Sequence, residues 1–155
     1  MRPYKIIFIS LIYFMVMSPL SIKAQVPPPY EIQKAITMEE ARQFVDEYSA
    51  RFIKLELDPF MELFSMKAVE NRMLPYADIR RAYQKTIAGS RSIMYQLKIY
   101  TIQTSLQSAL VRGHYEIVQA FKKGREVAFK GDIQWDLIRE NGVLKIREID
   151  YGRDH

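Results

Sequence analysis

The chain is 155 residues long, 48% hydrophobic and 26% charged, which fits one globular domain and excludes both a disordered polyelectrolyte and a membrane bundle. Its formal charge is +5, but Arg2, Lys5 and Lys23 all fall in residues 1–24, which hold no acid. Beyond them 20 basic residues face 18 acidic ones, too even a balance for a nucleic-acid footprint. With no cysteine, disulfides, thiolate metal sites, a cysteine nucleophile and an acylated-cysteine anchor are excluded.

Residues 1–24 have the three-part layout of a secretory signal. Met1 to Lys5 is basic, Ile6 to Met17 is apolar apart from Ser10, and a polar stretch from Ser18-Pro19 ends at Ala24, before an expected cleavage at Gln25. The apolar run is shorter than the roughly 20 residues that span a bilayer, so no stable membrane anchor is expected after cleavage. The mature protein is expected in the periplasm or outside the cell. Residues 25–36 begin with Val26-Pro27-Pro28-Pro29-Tyr30, a stiff extended linker.

Thr37-Met38-Glu39-Glu40 is a capping box, and Ala41, Phe44, Val45, Tyr48, Phe52 and Leu55 recur at helical spacing behind it. Asp58-Pro59 predicts a second, short helix capped by Asp58, with Phe60, Leu63 and Phe64 on its buried side. Ala68 to Arg72 is a short extended piece. Pro75 to Ala88 predicts a third helix with Ile79, Ala82, Tyr83 and Ile87 inward, ended by Gly89 as a left-handed cap.

From Ser90 the period changes to two. Ile93, Tyr95, Leu97 and Ile99 alternate in one strand, Val111, Tyr115, Ile117 and Phe121 in the next, and Val127, Phe129, Ile133, Trp135 and Leu137 in a third. Asn141-Gly142 suits a type I′ hairpin turn. In the last strand Leu144 and Ile146 share one parity while Ile149 and Tyr151 share the other, which predicts a β-bulge near Arg147-Glu148. Helices first and an antiparallel meander afterwards is an α+β layout, over residues 37–151.

The order of elements, together with LDPFMELFSMKAVEN at 57–71, GHYEIV at 113–118 and the closing W-x-L…NG-x-L-x-I-x-x-I-D-Y, resembles the nuclear transport factor 2-like superfamily, which includes the SnoaL-like and ketosteroid isomerase-like proteins. The resemblance covers nearly all of residues 37–151. It implies a cone-shaped α+β fold with the N-terminal helices packed on a curved antiparallel β-sheet. That fold hosts enzymes, transport factors and binding modules, so it names no activity by itself.

Carried over residue by residue, the resemblance places Tyr48 where ketosteroid isomerases have their oxyanion-binding tyrosine. It places Asn71 where they have a general base. An amide cannot accept a proton near neutral pH, so this route needs the neighbouring Glu70 as a substitute. A second family acid falls around Gln134 to Asp136. The weak catalytic candidates are therefore Tyr48, Glu70 and Asp136.

Two readings follow. The first is an exported, non-catalytic binding or assembly module for cell-envelope processes. Its apolar pocket, for a small hydrophobic or sugar-like ligand, is lined by Tyr48, Phe52, Phe64, Tyr83, Tyr95, Tyr115 and Trp135. The second is a small isomerase, cyclase or hydrolase using Tyr48 and a pocket acid. Against the first, Tyr48 and Trp135 can equally be plain core residues. Neither reading calls for a cofactor, and two histidines give little for a metal. Arg112, His114, Glu116, Asp132, Gln134 and Asp136 fall on the outer sheet face, where a homodimer partner is expected and nucleic acid is not.

Overall fold

The computed structural model describes residues 34–152; the expected signal and most of the linker lie outside them. Three helices, α1 (Met38–Ile53), α2 (Leu57–Met61) and α3 (Tyr76–Gly89), accompany six strands: β1 (Phe64–Glu70), β2 (Leu74–Pro75), β3 (Ser90–Thr104), β4 (Ser108–Phe121), β5 (Glu126–Glu140) and β6 (Val143–Tyr151). The sheet order is β2-β1-β6-β5-β4-β3. Every pairing is antiparallel except β1 with β6, so the first long strand lies alongside the last.

The capping box forms as the sequence predicts. The Glu40 amide donates to Thr37 Oγ1 at 3.1 Å, and Glu40 Oε2 accepts from the Thr37 amide at 2.9 Å. Arg139 on β5 clamps the same carboxylate at 3.1 and 3.2 Å, tying the start of α1 to the far hairpin. Ala41, Phe44, Val45, Tyr48 and Phe52 are buried against the sheet, and the chain leaves α1 through Leu55, in the left-handed region at φ 60°.

Four local expectations are corrected. The second helix begins at Leu57 behind Glu56, which makes no side-chain cap; Asp58 lies inside the first turn and pairs with Arg80 of α3 instead. The helix stops at Met61, and Phe64 opens β1, because the backbone there bonds to β6 through Ile146 N to Leu63 O at 2.8 Å. On α3 the inward residues are Ile79 and Tyr83, while Ala82 is exposed. Gly89 is not a left-handed cap: it ends α3, and Ser90 turns directly into β3 with φ −86°.

The last hairpin behaves as expected. Asn141 and Gly142 both have positive φ, 50° and 82°, as a type I′ turn requires. Pairing shifts between Asp136↔Glu148 and Leu137↔Ile146, so Arg147 is one residue extra on β6. Between β3 and β4, a Cβ on Gly113 would lie 2.7 Å from the Lys98 carbonyl oxygen. Only glycine allows that approach of two backbones.

Two measurements test this account. Gly113→Ala should lower the denaturant midpoint by the equivalent of about 1–3 kcal/mol, since backbone has to move, whereas Gly89→Ala, with ordinary contacts around its new methyl, should be neutral or stabilising. The second concerns acid. The Thr37 amide above all, with Arg139, holds the Glu40 carboxyl down at about 2 against an ordinary 4.5. Its contribution is therefore present above the unfolded value and lost as pH falls from 4.5 through 2. Urea midpoints of Glu40→Gln should fall less steeply than wild type across that window.

Candidate functional site

Between the helices and the inner sheet face lies a cavity of about 150 Å³. Tyr48 and Phe52 reach it from α1, Tyr83 and Thr86 from α3, Ile93 and Tyr95 from β3, Tyr115, Ile117 and Gln119 from β4, Phe129 and Ile133 from β5, and Tyr151 from β6. An aromatic floor supports it. The Tyr48 ring meets Phe60 at 5.1 Å and Trp135 at 5.5 Å between centroids, and Tyr83 meets Phe60 at 4.8 Å, in tilted and edge-on geometry.

Of the seven residues expected to line the pocket, Tyr48, Phe52, Tyr83, Tyr95 and Tyr115 stand at the cavity wall. Phe64 and Trp135 do not. Phe64 packs on Phe60 and Tyr83 in the layer beneath, at 5.5 and 5.9 Å. Trp135 is fully buried behind Tyr48, with its indole Nε1 unpartnered among the described residues.

The three catalytic candidates separate as well. Asp136 lies on the outer face, held by Arg147 at 3.1 Å, because its neighbours Trp135 and Leu137 take the inward parity. It cannot serve the cavity. Asn71 sits in a left-handed turn (φ 48°), and its Oδ1 accepts from the Tyr151 amide at 2.8 Å, fixing the end of β6. Glu70 points into the protein instead.

Glu70 is only 3% exposed. Its Oε1 accepts a 2.6 Å hydrogen bond from the Tyr151 hydroxyl, and its Oε2 has no hydrogen-bond partner among the described residues. Burial raises this carboxyl above the usual range, against the opposing effect of the Tyr151 hydrogen bond. The group does not form cavity wall itself. It communicates with the cavity through Tyr151, whose ring lines it. Glu70 is also near enough for its charge to reinforce the upward shift that burial gives the Tyr48 and Tyr83 hydroxyls.

The hydroxyls can be sorted by where their protons go. Tyr151 donates to Glu70, and Tyr115 donates to the Gly152 carbonyl at 2.7 Å. Tyr48 and Tyr83 face each other at 3.4 Å, so their hydrogen bond uses one proton of the two, and the buried Tyr95 hydroxyl has no hydrogen-bond partner among the described residues. The cavity therefore offers donors at Tyr95 and at the Tyr48–Tyr83 pair. Burial pushes Tyr48, Tyr83, Tyr95 and Tyr151 well up, so all are protonated donors at ordinary pH.

Sequence reasoning missed Tyr151 and Gln119 as wall residues. The signal for Tyr151 was present, since its parity with Ile149 beyond the predicted bulge turns it inward. Among the described residues, no group of three or more His, Asp or Glu could hold a metal ion, and no helix is long and apolar enough to cross a membrane.

No family model and no curated protein matches the sequence. Solved structures do. A Novosphingobium aromaticivorans protein provisionally named an aromatic ring hydroxylase is 16% identical, with 77% of this chain and 92% of that one covered at a TM-score of 0.68. A nuclear transport factor 2-like superfamily protein of Salmonella enterica serovar Typhimurium is 13% identical, covering 76% and 90% at 0.66. A type 2 hexachlorocyclohexane dehydrochlorinase is 7% identical, covering 76% and 84% at 0.59. At such identities the likeness establishes the fold alone: the chain has the nuclear transport factor 2-like α+β fold, shared with proteins that carry enzyme names.

The state of Glu70 is measurable. A carboxyl whose folded pKa lies above its unfolded value favours the native state below the unfolded pKa and loses that advantage as pH rises through the folded one. Glu70→Gln keeps an acceptor for Tyr151 but cannot ionise. Its stability relative to wild type should therefore rise from pH 4 to pH 8 in urea titrations, and Tyr151→Phe should move the Glu70 carboxyl resonance midpoint further upward.

Proposed function

We propose that the chain binds a small, neutral, single-ring compound bearing an oxygen function in this cavity, and that Glu70 and Tyr151 carry out proton transfer on it. The observation that carries the proposal is the buried Glu70 carboxyl, paired through one oxygen with a wall tyrosine and unmatched at the other. A cavity near 150 Å³ is the size that holds benzene in other proteins, which sets the one-ring limit. The names of two neighbours in fold, for ring hydroxylation and for removal of hydrogen chloride from a cyclohexane, are consistent with ring-sized substrates.

The chemistry follows from the donor sorting. A proton leaving the ligand arrives at the Tyr151 oxygen while the Tyr151 proton passes to Glu70 Oε1, leaving a protonated Glu70 and an anionic ligand. The oxygen on which that charge develops is met by Tyr95 and the Tyr48–Tyr83 pair. The raised Glu70 pKa brings the base toward working pH. Return of the proton at another atom gives an isomerase; departure of a leaving group gives a lyase.

A second reading, binding without turnover, has its own support, since Glu70 reaches the cavity only through Tyr151. Export to the periplasm or beyond belongs to both readings and is supported by the layout of residues 1–24. We also place a second copy of the chain against the outer sheet face, supported by its alternating charges, such as His114 Nδ1 and Asp132 at 3.2 Å.

Cyclohexanone in D₂O separates the two readings. If Glu70 is a base, wild-type protein speeds deuterium exchange beside the carbonyl, and Glu70→Gln lowers that rate by about 10²-fold or more while still binding the ketone. Binding without any exchange would leave the non-catalytic module standing.

A further inference from the structure

The polar groups described so far gather around Tyr48, Tyr83, Tyr95 and Tyr151. One wall residue stands apart from them in kind: Gln119 on β4, only 7% exposed, in the one buried side-chain amide of the cavity wall. Buried amides are costly unless each of their groups has a role, so its orientation repays attention.

That orientation is forced by hydrogen-bond arithmetic. Ser90, at the junction of α3 and β3, has its hydroxyl 2.6 Å from the Thr86 carbonyl. A carbonyl only accepts, so the hydroxyl proton is committed there, and the same oxygen can only accept from anything else. Its other partner is the Gln119 amide at 2.8 Å, which must therefore present nitrogen to Ser90. The flip that would exchange Nε2 and Oε1 is closed by the helix end. Oε1 is left without a hydrogen-bond donor from the described residues, on a side chain that lines the cavity.

We infer that Gln119 is a specificity-determining residue that selects ligands carrying a hydrogen-bond donor, a hydroxyl or N–H group, at the β4 end of the cavity. The inference rests on the ligand-binding reading above and adds to it. The tyrosine hydroxyls provide for an oxygen acceptor, and Gln119 Oε1 provides for a donor. The class of ligand is thereby narrowed from any ring with one oxygen to a ring whose hydroxyl or amine donates to an amide. A purely apolar ring leaves Oε1 buried and unmatched, and binds more weakly for that reason.

Phenol and toluene, alike in size and differing in one donor, are the probes, with binding followed by calorimetry and by the Gln119 side-chain amide resonances. Wild type is expected to prefer phenol by about fivefold, the worth of one neutral hydrogen bond, and phenol but not toluene should shift the Gln119 resonances. Gln119→Met should erase the preference by weakening phenol and leaving toluene unchanged or tighter. Ser90→Ala, which frees the amide to rotate, should reduce the preference in part and supplies the test if the methionine variant does not fold. Equal losses for both probes, or a phenol preference that survives in both variants, would overturn the role of Gln119 while the cavity remains a binding site. Failure of both probes to bind wild type would overturn the binding reading and this inference with it.

Discussion

One extra residue on β6 decides where the chemistry of this fold can be. Without the bulge at Arg147, strand alternation would carry the parity of Ile146 on to Glu148 and Asp150 and turn Ile149 and Tyr151 to the outside. With it, Leu137↔Ile146 and Trp135↔Ile149 both pair inward-facing residues, and Tyr151 follows Ile149 toward the cavity. The parallel strand β1 meets β6 just beyond, with Glu70 opposite Ile149. A carboxyl and a phenol that are 81 residues apart in sequence are thereby brought to 2.6 Å. Asn71 locks the arrangement by accepting a hydrogen bond from the Tyr151 amide.

That arrangement works against stability. An unmatched buried carboxyl oxygen costs about 1–3 kcal/mol, and a hydroxyl without a partner at Tyr95 adds to it. Burial of a single phenylalanine offsets about 1.5–3 kcal/mol, and Phe60 and Phe64 form an aromatic layer beneath the cavity that continues into Phe52 at its wall. The layer accounts for Phe64 and Trp135 being floor rather than wall. Large rings that pack on one another at 4.8–5.5 Å exclude the ligand from where they are and hold the tyrosines above them in fixed positions.

Local structure was legible in the sequence wherever one stretch of chain determines it. The Thr37–Glu40 box, the Asn141-Gly142 turn and the Arg147 bulge each need only neighbouring residues, and each forms. Gly89 misled because a glycine after a helix usually relaxes into the left-handed region, whereas here β3 begins at once and pulls the backbone extended. Phe64 misled for a related reason: LDPFMELF keeps helical spacing through Phe64, and what ends the helix is pairing with a strand more than 80 residues later. No local pattern contains that. Glu70 lay between these cases. It shares parity with buried Ala68, so its inward direction is readable, whereas its bond to Tyr151 depends on a strand far along the chain.

What separates an enzyme from a binding module in this fold is thus a question about one proton. The tyrosine hydroxyls stay protonated in either case, since burial has pushed all of them upward. Gln119 is held in one orientation whether or not a reaction occurs. Only Glu70 has two accessible charge states, and the same desolvation that raises its pKa makes its anion reactive. A ligand donor beside Tyr151 stabilises that anion through the relay; an apolar ligand seals it from water and favours the neutral acid. In the proposed reading the choice of ligand therefore sets the charge of the base, and selection at Gln119 and proton transfer through the Glu70–Tyr151 pair act on the same bound molecule.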